Sequence, residues 1–148
     1  MRISAKTRYG IAALVHLAQN SGEDRLIPIL SISEALGISK IYLEQVFSLL
    51  KRGDIVVSVK GAQGGYQLAR PANEITMLEI FKSTEQTLFE KVEETVPAKG
   101  QEIEKAMKEI IFDRIDIALE ASLEGVTLLD MVHEAKKNKS TNDFMFFI

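Results

Sequence analysis

The order of apolar and polar positions is most regular between residues 38 and 71, where a helical period gives way to a strand period. Apolar residues recur every three or four positions from Leu43 to Leu50, as on the buried face of an α-helix. Ser39 precedes this run and can cap the helix, because its side-chain oxygen can accept a free backbone N–H of the first turn. The segments Ile55 to Lys60 and Tyr66 to Arg70 are typical of paired strands. The pattern predicts one helix followed at once by a β-hairpin.

A glycine-rich tip joins the two predicted strands. Gly61, Gly64 and Gly65 leave little side-chain bulk there, and Lys60 stands beside them. Such a tip can enter a narrow groove of DNA, although Gly-Gly is also ordinary turn chemistry, so a purely structural hairpin is the alternative. A nucleotide-binding loop is rejected, since no G-x-x-x-x-G-K-[ST] pattern is present and the tip leads into a strand, not a helix.

The polar side of the predicted helix combines side chains that bind DNA bases with side chains that bind phosphates. This side holds Lys40, Glu44, Gln45, Ser48, Lys51 and Arg52. A helix that starts at the capping box of Ser31 and Glu34 and stops at Gly37 precedes it, and the short turn between the two helices presents the second one outward. Gly53 is expected to close the second helix in the left-handed conformation. Two helices and a wing outline a winged helix-turn-helix domain.

The remaining elements follow from the same capping and periodicity signals. We predict a first helix over residues 4–20, a short edge strand from Leu26 to Ile29, a helix from the capping residue Thr76 to about Ser83, a loop over 84–100, a helix from Gln101 to about Leu123, and a last helix from Leu128 to about Lys137. Residues 138–148 form a tail that begins polar and ends in Phe144-Met-Phe-Phe-Ile148. Apolar side chains are unusual at a chain end, so we expect them to be buried.

The predicted helix after Gln101 has an apolar stripe that needs a partner. Ile103, Ile110 and Ile117 mark this stripe, and a helix of about 22 residues would be about 33 Å long. A second copy of the chain is the favoured partner, because a two-fold dimer would set two recognition helices about 34–36 Å apart, one turn of DNA. The alternative is that the helix folds back on its own domain. The predicted fold class is mainly α with a small β-hairpin wing: a winged helix-turn-helix DNA-binding domain over 1–83, a linker over 84–100, a long dimerisation helix and C-terminal helix over 101–137, and a tail over 138–148.

The distribution of charge supports a two-part protein. The 148 residues carry a formal net charge of −3. Residues 1–82 hold ten Lys and Arg against seven Asp and Glu, whereas residues 83–148 hold eight against fourteen. The first part therefore has a net charge of +3 and the second of −6. Phosphate would attract the first part and repel the second, which should face away from DNA.

The composition limits the chemistry of the chain. With no cysteine and only two histidines, a disulfide, a thiolate metal site and thiol catalysis are excluded, and we predict no cofactor. No Ser/His/Asp set or acid/base carboxylate pair is apparent, so we predict that the chain is not an enzyme. The absence of a long apolar run or signal sequence predicts a cytoplasmic protein that does not enter a membrane.

Several stretches together resemble one family, the winged-helix transcriptional regulators that include the iron–sulfur regulator IscR, the nitric-oxide sensor NsrR and the cysteine-metabolism repressor CymR. The matching stretches are MRISAKTRYG at 1–10, ISKIYLEQ at 38–45, SVKGAQGGYQL at 58–68 and Ile75-Thr76. The resemblance is strong over about residues 1–82 and only architectural beyond. Iron–sulfur members carry three cysteines in the region that corresponds to 84–105, and this chain has none. It therefore resembles the cysteine-free branch, with the closest similarity to CymR.

The resemblance implies a set of DNA contacts. Tyr42, Glu44 and Gln45 would reach base edges in the major groove, where glutamine pairs with adenine and glutamate accepts from cytosine. Lys60 would enter or flank the minor groove. The other implied DNA-binding residues are Arg2, Ser4, Lys6, Arg8, Ser39, Lys40, Gly61, Gln63, Gly64 and Gly65. At several positions this chain differs from the residues that are usual in the family, so the resemblance does not predict which operator sequence it binds.

The apolar chain end resembles a segment that binds an enzyme. Serine acetyltransferase inserts a C-terminal isoleucine into cysteine synthase, and the resemblance implies that Ile148 does likewise, with Phe146 and Phe147 packing at the mouth of the site. The chain would then be a dimeric repressor of cysteine and sulfur genes that acts with cysteine synthase. Three alternatives stay open: the tail packs on its own dimer, a small molecule binds directly near 84–100, or the winged helix binds protein and not DNA.

Overall fold

Most of the chain is helical in the computed structural model, which describes residues 1–22, 24–96 and 98–146, with the backbone alone for Phe146. The helices are α1 (Ala5–Asn20), α2 (Ile29–Leu36), α3 (Lys40–Arg52), α4 (Met77–Thr84), α5 (Gln101–Met107), α6 (Asp113–Glu124) and α7 (Leu128–Phe146). The strands are β1 (Val56–Val59) and β2 (Gly65–Leu68). A π-helical turn (Lys108–Phe112) joins α5 to α6, and short 3-10 turns lie at Ala72–Glu74 and Ala98–Gly100.

The helix-turn-helix forms as predicted from Gly37 onward. Gly37 has φ 66°, a left-handed conformation that glycine adopts without steric cost, and it ends α2. Ser39 caps α3 by accepting the backbone N–H of Tyr42 at 3.5 Å. The predicted capping box at the start of α2 is wrong. The helix already begins at Ile29, after Pro28 in an extended conformation, and the Ser31 hydroxyl donates to the Pro28 carbonyl at 2.9 Å.

The end of α3 corrects a second expectation. Gly53 has φ −83° and ψ 6°, and the left-handed residue is its neighbour Asp54, with φ 56°. A different constraint acts on Gly53: an added Cβ atom would lie 2.0 Å from Oγ and 2.9 Å from Cβ of Ser83 on α4. A glycine at this position therefore lets α3 and α4 approach each other closely.

The wing is the predicted antiparallel hairpin, and its second strand also pairs with one residue that precedes α2. β1 pairs with β2 in a register that sets Val59 opposite Gly65. The predicted edge strand is reduced to a single bridge, in which Ile27 and Tyr66 exchange both backbone hydrogen bonds, at 2.9 and 2.8 Å. Glycine is required at 65, because an added Cβ would lie 2.6 Å from the Ile27 carbonyl. The bridge thus ties the wing to the segment that precedes α2.

The core lies between α1, α3, α4 and the base of the wing. The predicted buried face of α3, which consists of Leu43, Val46, Phe47 and Leu50, is fully buried. Phe47 packs against Tyr66 of β2 with ring centroids 4.6 Å apart. Leu128, at the start of α7, is also fully buried in this core. The C-terminal half is therefore attached to the winged helix at the point where α7 begins.

Backbone hydrogen bonds and a cap hold that attachment in place. Met77 N–H donates to the Val126 carbonyl, and Leu128 N–H donates to the Ile75 carbonyl, each at 2.8 Å. Thr127 caps α7, since its hydroxyl accepts from Asp130 N–H at 3.1 Å and the Asp130 carboxylate accepts from Thr127 N–H at 2.9 Å. The starts of α4 and α7 are therefore fixed side by side.

The end of α7 differs from its prediction. The helix was expected to stop at about Lys137 but continues to Phe146, and the Thr141 hydroxyl donates to the Lys137 carbonyl at 3.0 Å without interrupting it. Phe144 and Met145 are 67% and 68% exposed, so the expected burial is wrong for both in the single chain. The predicted contacts of Phe147 and Ile148, and of the Phe146 side chain, lie outside the described residues.

Candidate nucleic-acid interface

The polar side of α3 is presented outward because the opposite side is buried. Lys40, Glu44 and Gln45 are exposed, and Tyr42 is half-buried. Lys40 and Glu44 form an ion pair of 3.7 Å one helical turn apart, with both side chains about half exposed. Ser39 is exposed, but its side-chain oxygen is engaged as the helix cap. Five of the predicted DNA-binding residues therefore lie together at the first two turns of this helix.

The start of α1 forms a second group of predicted residues. Arg2, Lys6 and Arg8 are exposed. Ser4 is half-buried and caps α1, with its oxygen accepting the backbone N–H of Thr7 at 3.3 Å. Three cations near a helix N-terminus attract an anion such as phosphate.

One aromatic contact joins the two groups. Tyr9 of α1 and Tyr42 of α3 meet edge to face, with ring centroids 5.2 Å apart and an interplanar angle of 88°. Such pairs stabilise a fixed relative orientation of the rings. Ser4, Lys6 and Tyr42 also line one groove of about 260 Å³ together with residues 84–87. Sequence reasoning missed Tyr9, although its place on the helical face of Lys6 in the matching stretch 1–10 was a signal that could have found it.

The tip of the wing is a tight turn. Gly64 N–H donates to the Gly61 carbonyl at 3.0 Å, and Gly61 has φ 120°, a conformation that favours glycine. An added Cβ at Gly64 would lie 2.1 Å from the Val59 carbonyl. Lys60, Gly61 and Gln63 are exposed, whereas Gly64 and Gly65 are half-buried. The two last glycines thus have structural reasons for their identity, and the first part of the tip is the part open to a ligand.

Sequence analysis also did not predict Glu85, which directly follows α4, as part of this site. Its carboxylate accepts the Ser4 backbone N–H at 2.6 Å and the Thr7 hydroxyl at 2.9 Å. Burial by itself would raise the pKa of Glu85, but the hydrogen bonds from Ser4 and Thr7 outweigh it and hold the pKa below its ordinary value. Glu85 is therefore an anion at neutral pH, placed against the start of α1.

The α5–α6 region carries the apolar residues for which a partner was predicted. Five isoleucines are between 47% and 69% exposed in the single chain: Ile103, Ile110, Ile111, Ile115 and Ile117. Another side of α6 faces its own domain, where Glu120 pairs with Lys82 of α4 at 3.8 Å. α6 thus contacts its own domain, as the alternative expected, and still leaves an apolar side exposed, while dimerisation through that side stays a prediction.

Neither a metal site nor a membrane span is found in the part of the chain that the structure describes. No three His, Cys, Asp or Glu side chains group there as metal ligands would. Within the same residues, no helix combines the length and apolar character that crossing a bilayer requires.

Comparison with known proteins assigns the family. A family model described as "Rrf2: Iron-dependent Transcriptional regulator" matches residues 3–134, which is most of the chain. The chain belongs to the Rrf2 family. It is a transcriptional regulator of the DNA-binding, winged-helix kind and not an enzyme, so the predicted family, fold class and absence of enzymatic activity are confirmed.

Individual Rrf2 relatives match the chain over different lengths. The chain is 44% identical to the regulator IscR of Cereibacter sphaeroides over 90 residues, which span 60% of the chain and 57% of that protein. It is 32% identical to IscR of Klebsiella pneumoniae (strain 342) over 160 aligned positions, covering 97% of the chain and 95% of that protein. CymR, the global cysteine regulator of B. subtilis, superimposes with a TM-score of 0.69 at 32% identity, over 90% of the chain and 98% of CymR.

The iron dependence named in the Rrf2 description does not fit the residues of this chain. Thiolates are the ligands that hold iron–sulfur clusters, and the full sequence contains no cysteine. The described histidines and carboxylates do not cluster either.

Proposed function

We propose that this Rrf2-family chain is a homodimeric, sequence-specific DNA-binding repressor of cysteine and sulfur metabolism genes in the cytoplasm. The DNA-binding part of this proposal rests on one observation. The contact between Tyr9 and Tyr42 holds the exposed polar residues of α3 next to those at the start of α1. One group has the side chains that recognise base edges, and the other has cations for phosphates. Together they form a surface that can bind bases and backbone at once.

On this proposal, α3 enters the major groove of DNA. Tyr42, Glu44 and Gln45 contact base edges, and Ser39 and Lys40 at the helix start contact phosphates. The exposure of Gln45 and Glu44 supports this assignment, because neither side chain is needed in the core. The Lys40–Glu44 pair is about half exposed on both sides and is weak in water, so either partner can exchange it for a DNA contact.

The wing and α1 add contacts beside the recognition helix. Lys60 and the tip from Gly61 to Gly65, including Gln63, lie in or along the minor groove. Arg2, Lys6 and Arg8 bind phosphates. Ser4 takes part indirectly, by ordering the first turn of α1, since its side chain caps the helix and its backbone N–H is bound by Glu85. This distribution gives base recognition to α3 and general affinity to the basic residues.

Dimerisation supplies two such surfaces. The exposed isoleucines of α5 and α6 support a second copy of the chain as partner, because an apolar side of this length is unfavourable in water. The domain division follows: DNA binding by 1–83, a linker over 84–100, and dimerisation through 101–137. A two-fold axis between the α6 helices would place two α3 helices in successive turns of the major groove.

The assignment to cysteine metabolism is supported by the likeness to CymR and by the exposed apolar end of α7. Phe144 and Met145 have no partner in the core and continue into the apolar residues 146–148. We propose that cysteine synthase binds this end through Phe146, Phe147 and the Ile148 carboxylate, and that the tail over 138–148 reports the supply of cysteine. A chain-end carboxylate is well suited to a site whose backbone amides bind a substrate carboxylate.

The DNA-binding part is tested by two substitutions on duplex DNA that the wild-type protein selects from a random pool. Gln45→Ala should cost about 1–3 kcal/mol on the selected duplex and little on a scrambled one, because it removes base contacts. Lys60→Ala should weaken binding to both duplexes and reduce the slope of log affinity against log salt concentration by about one, because one phosphate contact is lost. Fluorescence anisotropy over a salt series measures both effects.

Two results would contradict that division of roles. If Gln45→Ala and Lys60→Ala change the affinity for both duplexes equally, the separation of base and phosphate contacts is wrong. If wild-type binding to every duplex is independent of salt, the winged helix binds protein and not DNA.

The tail is tested by deleting Ile148 and measuring binding to cysteine synthase by titration calorimetry. Loss of binding is expected, because the deletion shifts the terminal carboxylate by one residue and removes the Ile148 side chain that would enter the site beside it. Glu134→Gln, at an exposed position of the same helix outside the tail, is the control and should bind as wild type does. Equal binding by the deletion variant, or no binding by the intact chain, would remove the enzyme from the proposal.

A second candidate function is direct sensing of a small molecule by the same regulator. The groove of about 260 Å³ favours it, since the groove is lined by the first residues of the linker and by Tyr42 of the recognition helix. A ligand there would touch both the linker and the DNA-binding surface. Titration of O-acetylserine and cysteine into the protein alone, without the enzyme, distinguishes this candidate from the first.

A further inference from the structure

A carboxylate from the end of α4 completes the cap at the start of α1. Glu85 Oε1 accepts the backbone N–H of Ser4 at 2.6 Å, although the two residues are 81 positions apart. The same oxygen accepts the Thr7 hydroxyl at 2.9 Å. Thr7 is buried and its hydroxyl also contacts the Thr84 hydroxyl at 2.7 Å, which in turn donates to the Ile80 carbonyl. This network joins the first turn of α1 to the last turn of α4.

The arrangement is a capping box whose second half comes from elsewhere in the chain. In a capping box, the first residue's side chain accepts the N–H of the residue three positions later, and that later residue's carboxylate accepts the first residue's N–H. Ser4 makes the first bond with Thr7 N–H at 3.3 Å. Thr7 has no carboxylate with which to make the second bond, and Glu85 supplies it.

We propose that Glu85 is a positioning residue for DNA binding. By holding the Ser4 backbone it orders the first turn of α1, so that Lys6 and Arg8 meet phosphates in a fixed geometry. Glu85 does not itself touch DNA. The inference rests on the proposed function, because the first turn of α1 needs positioning only if it binds a phosphate backbone.

Two effects of the carboxylate oppose each other and can be separated by substitution. Its negative charge repels nearby phosphate, so removal of the charge alone favours DNA binding. Its oxygen orders α1, so removal of the acceptor disfavours DNA binding. Glu85→Gln removes the charge and keeps an acceptor oxygen, whereas Glu85→Ala removes both. The difference between the two variants therefore isolates positioning from charge.

The experiment measures the affinity of wild type, Glu85→Gln and Glu85→Ala for the duplex that the wild-type protein selects, well below the unfolding temperature of each. Glu85→Gln is expected to bind at least as tightly as wild type. Glu85→Ala is expected to bind about tenfold more weakly than Glu85→Gln, the fold-change that one hydrogen bond of ordinary strength is worth. The slope of log affinity against log salt should also fall by about one for Glu85→Ala, because a phosphate contact is lost.

Controls distinguish positioning from general damage to the fold. Glu90→Ala makes the same charge change at an exposed position of the following segment and should leave the affinity near that of wild type. Amide hydrogen exchange of residues 4–8 should quicken in Glu85→Ala and not in Glu85→Gln. Equal affinities of the Ala and Gln variants, with wild-type DNA binding intact, would overturn the inference alone. Failure of the wild-type protein to bind any duplex in a salt-dependent way would overturn the proposed function and the inference with it.

Discussion

At the scale of single residues, Glu79 makes two kinds of contact with one carboxylate. It completes the capping box of α4 by accepting the Thr76 N–H at 2.9 Å, and it forms an ion pair with Arg70 at 2.8 Å. Burial alone would raise the pKa of Glu79, but the hydrogen bonds from the Thr76 N–H and hydroxyl, together with the hydrogen bond and charge of Arg70, outweigh it and lower the pKa below its ordinary value of 4.5. The charged form is thus the one that stabilises the fold.

The pH dependence of this contribution has a definite sign. Because the folded-state pKa is lower than the unfolded-state pKa, the unfolded chain binds more protons in acid, and stability falls as the pH falls. The contribution of Glu79 is fully present above its ordinary value of 4.5 and is lost as the pH drops through the folded-state pKa. Glu79→Gln keeps a capping oxygen but no charge, so it should be less stable than wild type at neutral pH, with the difference vanishing in acid.

Urea denaturation of both proteins over a pH series tests this prediction. Glu90→Gln is the matched control, since Glu90 is exposed and its substitution should have no such effect at any pH. A stability difference between wild type and Glu79→Gln that stays constant down to the acid limit would contradict the role given to the charge.

At the scale of elements, the boundary between α2 and α3 depends on one glycine. Gly37 has φ 66°, in the left-handed region, and an added Cβ would meet nothing within 4 Å. A substitution there thus acts through the backbone alone. The left-handed conformation costs a residue with a Cβ about 1–2 kcal/mol.

Gly37→Ala should therefore lower the free energy of unfolding by about 1 kcal/mol. Gly22→Ala is the control, because Gly22 has equally open surroundings without a left-handed φ. Urea denaturation followed by circular dichroism measures both. If the two substitutions cost the same, the turn between α2 and α3 does not depend on the conformation of Gly37.

At the scale of the whole molecule, we expect the exposed side of α5 and α6 to join two copies of the chain. Ile110 and Ile117 are 63% and 69% exposed and stand one heptad apart on the same side of the helix. The π-helical turn continues α5 into α6 without a break, and across it Lys108 donates to both carboxylate oxygens of Asp113 at 2.8 Å. A continuous apolar side of this kind suits a second helix of the same sort.

Ile110→Glu combined with Ile117→Glu should shift the protein from dimer to monomer in sedimentation equilibrium, because burying unpaired charges in an apolar interface is unfavourable. The affinity for the selected duplex should fall as well, since two linked half-sites become one. Asn138→Glu adds a charge at an exposed polar position of α7 and should leave the dimer intact. A double variant that remains dimeric would show that another surface joins the two copies.

Most of the elements and much of the candidate site follow from short-range signals in the sequence. Local signals act on neighbours within three or four positions, so they can be recognised from the sequence alone; examples are Gly37, Ser39 and the capping box at Thr76. The buried side of α3 follows from periodicity, and that side determines which polar residues face outward. The exclusion of an iron–sulfur cluster held by cysteine follows from the absence of cysteine alone.

Tertiary structure decided the features that depend on residues distant in the chain. The bridge of Ile27 to Tyr66 replaced a predicted edge strand, because its pairing partner lies 39 positions further along the chain. The cap of Ser4 by Glu85 joins positions 81 apart, a separation that no local pattern encodes. The physical reason is that a helix cap needs only an acceptor at the right place in space, and packing of α1 against α4 determines which residue provides it.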